Sequence, residues 1–367
     1  MNKAMIYLTI AMVLAALAYV MIRIWCILPC GTAWKVVAVA LGVGIVVAMV
    51  MSFVVGLDKM PIHLATVVYE ITTSWIFILL YLLMIFVLMD ILRLTHVIPA
   101  GLLHNSLKGT LIVAGTVFAI FLYGNIHYYH KYRTTVDLST EKHLDKKYKI
   151  LMVSDMHIGY HNQRGTLAKW VDMLNAENAD LILISGDIID ISTHPVNEQR
   201  MYEEFRRLNA PVYGCLGNHE FISGIGEARE FYRKAGITLL VDSCARVGND
   251  LLIAGRDDRS NPHRKTITQI IENEDTGRYT ILLDHQPYNL EQAEQAGVDF
   301  QFSGHTHYGQ VFPINLITKM VYEKAYGQHR RGKTDYFISS GLGIWGGKFR
   351  IGTKSEYVVV ELGTVNN

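Results

Sequence analysis

The chain has 367 residues, of which 50% are hydrophobic and 18% charged, and its formal net charge is +1. Its mean hydropathy of +0.21 is too high for an ordinary soluble domain of this length, which excludes a wholly water-soluble protein. The chain has no run of basic residues to indicate nucleic-acid binding, and its four cysteines lack the spacing of a metal site or a disulfide framework.

The charged residues are unevenly distributed along the chain. Residues 1–130 contain only six Lys or Arg and three Asp or Glu, whereas residues 131–367 contain 28 and 30 respectively. A membrane region is therefore predicted over residues 1–130, and the remainder is expected to be water-soluble.

Four long runs without charge occupy the first region, at residues 5–22, 36–57, 71–89 and 109–126. Each is close to the ~20 residues that a helix needs to cross the hydrocarbon core. Buried helices of a soluble protein are the alternative, but four such runs in succession favour four transmembrane helices. The runs contain few polar residues and no paired charges, which favours an anchor over a transporter.

Four crossings place both ends of this region on the same side of the membrane. Basic residues near the ends of the runs number five on that side and four on the other. The positive-inside rule therefore favours a cytoplasmic location for the water-soluble region.

Residues 131–147 are mostly polar and are predicted to form a juxtamembrane linker. If residues 134–147 are flexible, they span only ~20 Å root-mean-square, so the following domain stays near the lipid headgroups. That domain is predicted over residues 148–367.

Strand and helix patterns alternate in the third region. Runs typical of buried strands lie at 149–153, 181–185, 212–216, 251–254, 279–283, 300–303, 336–339 and 357–362. Leu167, Trp170, Val171 and Leu174 have the spacing of an amphipathic helix, and residues 198–208 have a helix-like pattern. The alternation predicts an α/β layered domain with its own core.

Side chains that bind metals follow five of these strands. They are Asp155 and His157, Asp187, Asn218 with His219, His285, and the pair His305 and His307. Active sites of α/β sheets gather at the carboxyl ends of strands, and residues two apart in an extended segment, such as Asp155 and His157, point the same way. Each pattern alone also fits an ordinary turn or a solvated histidine. Five of the 15 histidines at such positions favour one shared site.

The chemistry of these side chains narrows the choice of metal. Carboxylate and amide oxygens with imidazole nitrogens, and no thiolate, suit Mn, Fe or Zn. Seven ligands are too many for one four-coordinate zinc ion. Two divalent ions that share Asp187 fit the set better.

The motifs resemble the five-block signature of the calcineurin-like metallophosphoesterases. The blocks are Asp155-x-His157, Gly186-Asp187-x-x-Asp190, Gly217-Asn218-His219-Glu220, His285 and Gly304-His305-x-His307, and the resemblance covers about residues 149–363. Residues 305–310 and 340–343 are similar to the bacterial membrane-associated branch of this family. Members of that branch often have Gly where this chain has Tyr308, a difference that concerns the shape of the pocket and leaves the metal ligands unchanged.

The resemblance implies a two-sheet β-sandwich flanked by helices and a centre with two metal ions. One ion would be bound by Asp155, His157, Asp187 and His307, and the other by Asp187, Asn218, His285 and His305. His219 would stabilise the phosphoryl group or protonate the leaving oxygen. Asp190 and Glu220 would orient imidazoles or loops. A hydroxide that bridges the ions would attack phosphorus in line, in a phosphodiester, phosphomonoester or pyrophosphate.

The resemblance also implies a place in the bacterial inner membrane and a phosphorylated small-molecule or lipid-linked substrate. Relatives in the branch include enzymes that cleave the pyrophosphate of UDP-diacylglucosamine. Residues 311–317, just after the metal histidines, are apolar and aromatic and are expected either to contact an acyl chain or the bilayer, or to pack as a loop over the site. A metal-binding sensor or scaffold with a vestigial site is the alternative function, but the presence of His219 and all seven ligands favours an enzyme.

Overall fold

A computed structural model describes residues 3–365 and divides the chain into two compact units. Within the described residues, the first comprises 3–125 with 346–348, and the second comprises 126–345 with 349–365. Met1, Asn2, Asn366 and Asn367, which are the outermost residues of the predicted regions, lie outside the described part of the chain.

The first unit is all α-helical. Its helices are α1 (Lys3–Ile27), α2 (Thr32–Val55), α3 (Ile62–Leu94) and α4 (Leu107–Tyr129), with 3₁₀ turns at Leu57–Lys59 and Ala100–Leu103. All four helices are long and apolar enough to cross a membrane by length and composition. The prediction of a four-helix region before the α/β domain is confirmed.

One charged pair corrects the expectation that the helices carry no paired charges. Arg23 in α1 forms an ion pair with Asp90 in α3, and the hydroxyl of Tyr19 also donates to Asp90 at 2.6 Å. The helices extend beyond the uncharged runs of the sequence, and both charges lie just outside those runs. Counting only the runs therefore missed the pair.

The second unit contains twelve strands among the described residues. They are β1 (Lys131–Thr140), β2 (Tyr148–Val153), β3 (Leu181–Ser185), β4 (Val212–Cys215), β5 (Thr238–Leu239), β6 (Ser243–Val247), β7 (Leu251–Gly255), β8 (Tyr279–Leu283), β9 (Phe300–Ser303), β10 (Gly327–Arg331), β11 (Thr334–Ile338) and β12 (Ser355–Thr364). The helices are α5 (Arg164–Asn175), α6 (His194–Glu198), α7 (Tyr202–Phe205), α8 (Asn218–Ile222), α9 (Ile225–Ala235), α10 (Ile267–Ile271), α11 (Glu291–Gln295) and α12 (Ile314–Val321), with a 3₁₀ turn at His307–Gly309.

The strands form two six-stranded sheets, in the orders β1-β12-β2-β3-β4-β5 and β10-β11-β9-β8-β7-β6. Alternate residues of β2 face opposite sides: Ile150 and Met152 pack in the core between the sheets, whereas Leu151 and Val153 pack against α5 and its neighbours. This is the predicted two-sheet sandwich flanked by helices. Strands β2, β3 and β4 are parallel, as are β7, β8 and β9, so their carboxyl ends lie at one edge of each sheet.

The two helix predictions have different outcomes. In α5 the four residues of the amphipathic pattern are all buried, as expected. The helix expected over 198–208 is wrong, because Pro195 lies in the first turn of α6 and Arg200 has a left-handed φ of 51° that separates α6 from α7.

The linker expected over residues 131–147 is also wrong, because residues 131–140 form β1. This strand pairs in parallel with β12 from Lys131 opposite Ser355 to Thr140 opposite Thr364, and Val136 is only 1% exposed. Polar side chains on the solvent face of this edge strand gave the segment the composition of a linker, although its β-branched and apolar residues are typical of a strand. Only His130 separates α4 from β1.

Candidate metal centre

All eight side chains singled out from the sequence lie together at the carboxyl ends of β2, β3, β4, β8 and β9. Their ligand atoms form three overlapping groups, each within 4.8 Å, which are Asp155–His157–His307, His157–Asp187–His219 and Asp187–His285–His305. Asn218 joins the cluster because its Oδ1 lies 2.8 Å from Nδ1 of His305. We call Asp155, His157 and His307 the His157 side, and Asn218, His285 and His305 the His285 side, with Asp187 between them.

The backbone of this cluster is in a conformation that L-residues rarely adopt. Five of the eight residues have φ between 45° and 68°, namely Asp155, His157, Asp187, His305 and His307. Such a residue costs ~1–3 kcal/mol, and such residues concentrate at functional sites. Asp155 and His157 therefore converge because the backbone of each residue is left-handed. The sequence-based expectation that they point the same way because they lie in an extended segment is wrong.

Two glycines allow the carboxylates to approach the backbone closely. A Cβ on Gly217 would lie 2.2 Å from Oδ1 of Asp187, and one on Gly304 would lie 2.1 Å from Oδ2 of Asp155. No larger side chain fits at either position, which explains why glycine precedes the ligands in these two blocks.

On the His157 side, two ring nitrogens converge beside a carboxylate. Nε2 of His157 lies 3.0 Å from Nε2 of His307, and the latter lies 3.4 Å from Oδ1 of Asp155. Nδ1 of His157 donates to Oδ1 of Asp190 at 3.2 Å, which leaves Nε2 with its lone pair. Burial raises the pKa of Asp190, but hydrogen bonds from His157 and His219 outweigh it and hold the pKa well below the usual range.

On the His285 side, the orienting partner belongs to the backbone. Nδ1 of His285 donates to the carbonyl oxygen of Ser185 at 2.7 Å. Its Nε2 lies 3.0 Å from Oδ2 of Asp187, yet it is buried and makes no hydrogen bond within the described residues. A buried imidazole nitrogen left beside a carboxylate is the position that a cation would satisfy.

These residues fit a divalent metal centre. Carboxylate oxygens, an amide oxygen and imidazole nitrogens suit Mn, Fe or Zn. Nε2 of His157 and Nε2 of His307, 3.0 Å apart, are close enough that both would bind the same ion.

Glu220 and His219 surround the shared carboxylate. Glu220 accepts hydrogen bonds from the backbone N–H groups of Gly217 at 2.7 Å, Asp187 at 3.0 Å and Ile189 at 3.1 Å, so it orients the loops after β3 and β4. Nδ1 of His219 lies 3.4 Å from Oδ1 of Asp190. Burial lowers the pKa of His219, but the charges of Asp187 and Asp190 outweigh it and raise the pKa to about 9.

Two further residues at the site were missed from the sequence. Arg350 is fully buried and donates to the carbonyl oxygens of His307 at 2.7 Å and Gly343 at 2.9 Å, which fixes the turn that carries His307. The ring of Tyr322 lies 6.3 Å from that of His305. Neither residue lies in a motif, so no spacing in the sequence could have identified them.

The sequence is similar to known metallophosphoesterases. Residues 148–309 match the family described as calcineurin-like phosphoesterase. A protein of Aquifex aeolicus named as a metallophosphoesterase is 30% identical over 223 residues, which cover 58% of this chain and 84% of that protein.

Two other relatives share a smaller part of their length. A metallophosphoesterase of Helicobacter pylori is 30% identical over 224 residues, which cover 60% of this chain and 60% of that protein. A Danio rerio protein named transmembrane protein with metallophosphoesterase domain is 28% identical over 230 residues, or 58% of this chain and 53% of that protein.

Proposed function

Because this chain belongs to the calcineurin-like metallophosphoesterase family, we propose that it is a membrane-anchored, metal-dependent phosphoesterase. Helices α1 to α4 would form the anchor, and the two-sheet domain that begins with β1 would be the catalytic domain. The single observation that carries the proposal is the convergence of seven ligand side chains and His219 at one edge of the sandwich.

The residues of the His157 side, the His285 side and Asp187 would hold two ions of the Mn, Fe or Zn class. When bound, such ions stabilise charge on the phosphoryl oxygens and activate the attacking water. Asp187 would serve both ions, and this is supported by its Oδ2, which lies 3.7 Å from Nε2 of His157 and 3.0 Å from Nε2 of His285. Asp190, Ser185 and Glu220 keep these ligands oriented.

His219 would complete the hydrolysis by proton transfer. Its Nδ1 faces Asp190, so Nε2 is the nitrogen available to the phosphoryl group. As the bond from water oxygen to phosphorus forms and the bond to the leaving group breaks, Nε2 would give its proton to the leaving oxygen.

Removal of the metal tests the reaction itself. We expect a chelator to abolish hydrolysis of an aryl phosphodiester by the purified full chain, and added Mn²⁺ to restore it. Metal content measured on the same samples is the control. Full activity in metal-stripped protein would contradict the mechanism, and no activity in fully loaded protein would favour a sensor or scaffold.

We also propose that the catalytic domain faces the cytoplasm of a bacterial inner membrane, since the basic residues lean that way. His143, whose side chain is 84% exposed, is a site for a topology probe, and Cys30 in the connection between α1 and α2 is an exposed native cysteine. With four crossings these positions lie on opposite sides. An impermeant thiol reagent applied to intact cells should label Cys30 but not His143→Cys in a Cys30→Ser background. The reverse pattern would place the domain outside.

The substrate is proposed to be lipid-linked, such as a phospholipid or a UDP-diacylglucosamine-like molecule. A site joined to membrane helices gains effective concentration for a substrate in the same bilayer and gains little for a soluble metabolite. The connection is shorter than a flexible linker, since only His130 lies between α4 and β1. Turnover in liposomes should be higher for an acylated phosphodiester than for its deacylated counterpart. Equal rates would leave a general phosphodiesterase.

A further inference from the structure

Helix α12 presents its apolar side chains to the outside and buries its polar ones. Leu316, Ile317 and Met320 are exposed, Met320 by 78%, whereas Asn315 and Thr318 are each exposed by only 8%. A surface helix in contact with water has the opposite arrangement. The outer face of α12 therefore suits an apolar environment.

Most of the exposed large apolar side chains that follow α4 lie at this one place. Among the described residues 131–365, seven large apolar side chains are exposed, and five of them lie within residues 312–321. We call these five, Phe312, Leu316, Ile317, Met320 and Val321, the α12 surface. Such clusters mark surfaces that contact a partner or a membrane.

We propose that the α12 surface lies among lipid acyl chains at the surface of the bilayer. Its side chains are aliphatic apart from one Phe, and the only charged residue within 311–322 is Lys319. Membrane-surface helices combine an apolar face with lysine, which anionic headgroups attract. The residues that dominate the energy of protein–protein binding are most often Trp, Tyr and Arg, and residues 312–321 contain none of these.

Phe312, the first residue of the α12 surface, is held against residues 351 and 352. The backbone N–H of Phe312 donates to the carbonyl oxygen of Ile351 at 2.7 Å, and a Cβ on Gly352 would lie 3.5 Å from Cβ of Phe312. Gly352 lines a cavity of about 390 Å³ together with His127, which lies in the last turn of α4.

Helix α12 is also packed directly on the turn that carries His307. A Cβ on Gly309 would lie only 2.4 Å from the backbone nitrogen of Asn315, so helix and turn meet at the closest possible distance. Helix α12 would then lie between a lipid on the α12 surface and the turn that carries His307. This consequence for substrate access rests on the proposed hydrolytic function, whereas the membrane contact itself does not.

The contact can be tested without measuring activity. The full chain is reconstituted in vesicles of phosphatidylethanolamine and phosphatidylglycerol that contain a phospholipid with a diazirine in its acyl chain. After irradiation, peptides that span residues 312–321 should carry several-fold more lipid adducts than peptides that contain Ile222 or Val365, the other exposed large apolar residues within the described residues 131–365. Equal yields would overturn the proposal and would indicate that the α12 surface binds another protein.

Two variants sharpen the result. Ile317→Ser combined with Met320→Ser should lower the adduct yield in 312–321 several-fold, whereas Val365→Ser, the matched control, should not change it. A different outcome would show that the surface joins two copies and that the proposal is wrong. In that case the adduct yield in 312–321 is low in the wild-type chain and the same in the double variant, and the double variant lowers the oligomeric mass of the detergent-solubilised chain. The wild-type labelling decides the question even if the double variant does not fold.

Discussion

The two sides of the metal centre hold their imidazoles in different ways. On the His157 side, Nδ1 of His157 donates to the carboxylate of Asp190 at 3.2 Å. On the His285 side, Nδ1 of His285 donates to the backbone carbonyl oxygen of Ser185 at 2.7 Å. The first contact depends on one side chain, and the second is fixed by the end of β3.

This difference shows how the two sides would respond to mutation. Asp190 also lies 3.6 Å from Nδ1 of His161 and 3.4 Å from Nδ1 of His219, so one carboxylate faces three histidines. The carbonyl of Ser185 remains in place whatever side chain residue 185 carries. We therefore expect the His157 side to be the more sensitive to substitution of its orienting partner.

The largest effect is expected from a change that affects both sides at once. Asp187→Asn removes the charge that lies between the two groups, so the metal content should fall towards zero and hydrolysis to background. Elemental analysis of the purified protein measures this directly. Asp172→Asn, at a side chain that is 62% exposed, is the matched control and should keep both ions. Retention of two ions by Asp187→Asn would show that Asp187 is not shared.

The next effect separates binding from proton transfer. His219→Ala should lower turnover ~10²–10⁴-fold, the usual contribution of a positioned acid, while metal content stays nearly intact. The comparison requires kcat and bound metal to be measured on the same preparation of the variant and of the wild-type chain. If this variant lost an ion as well, His219 would be a ligand of the His157 side.

A smaller effect should distinguish the two sides. Asp190→Asn replaces the acceptor of His157 with a neutral amide, so affinity for one of the two ions should fall ~10–100-fold while the other is unchanged. Calorimetric titration of metal into the stripped protein resolves the two steps. Equal weakening of both steps would mean that the two sides are not independent.

The smallest effect is expected at Ser185, the residue that orients His285 on the His285 side. Ser185→Ala keeps the carbonyl that orients His285. It removes the hydrogen bond from Oγ to the carbonyl oxygen of Phe302 at 3.1 Å and the contact of Oγ with Sγ of Cys215 at 3.8 Å. Metal affinity should not change, and the free energy of unfolding should decrease by about 1 kcal/mol. A loss of metal affinity in this variant would contradict the assignment of the orienting role to the backbone.

The sequence by itself determined the elements with strong local patterns. Uncharged runs of about 20 residues predicted the four helices, because a run of that length has no other common use. Apolar runs predicted most strands of both sheets, often to within a residue, since a strand buried on both faces excludes polar side chains. The same runs located the candidate ligands, because each ligand directly follows a strand.

Tertiary structure alone decided which residues meet and how. Edge strand β1 was mistaken for a linker, because its pairing with β12 depends on residues more than 200 positions away in the chain. The left-handed backbones of Asp155 and His157 and the contacts of the buried Arg350 have no local signal either. These features result from close packing at the edges of the two sheets. A pattern of residues along the sequence contains no information about such packing.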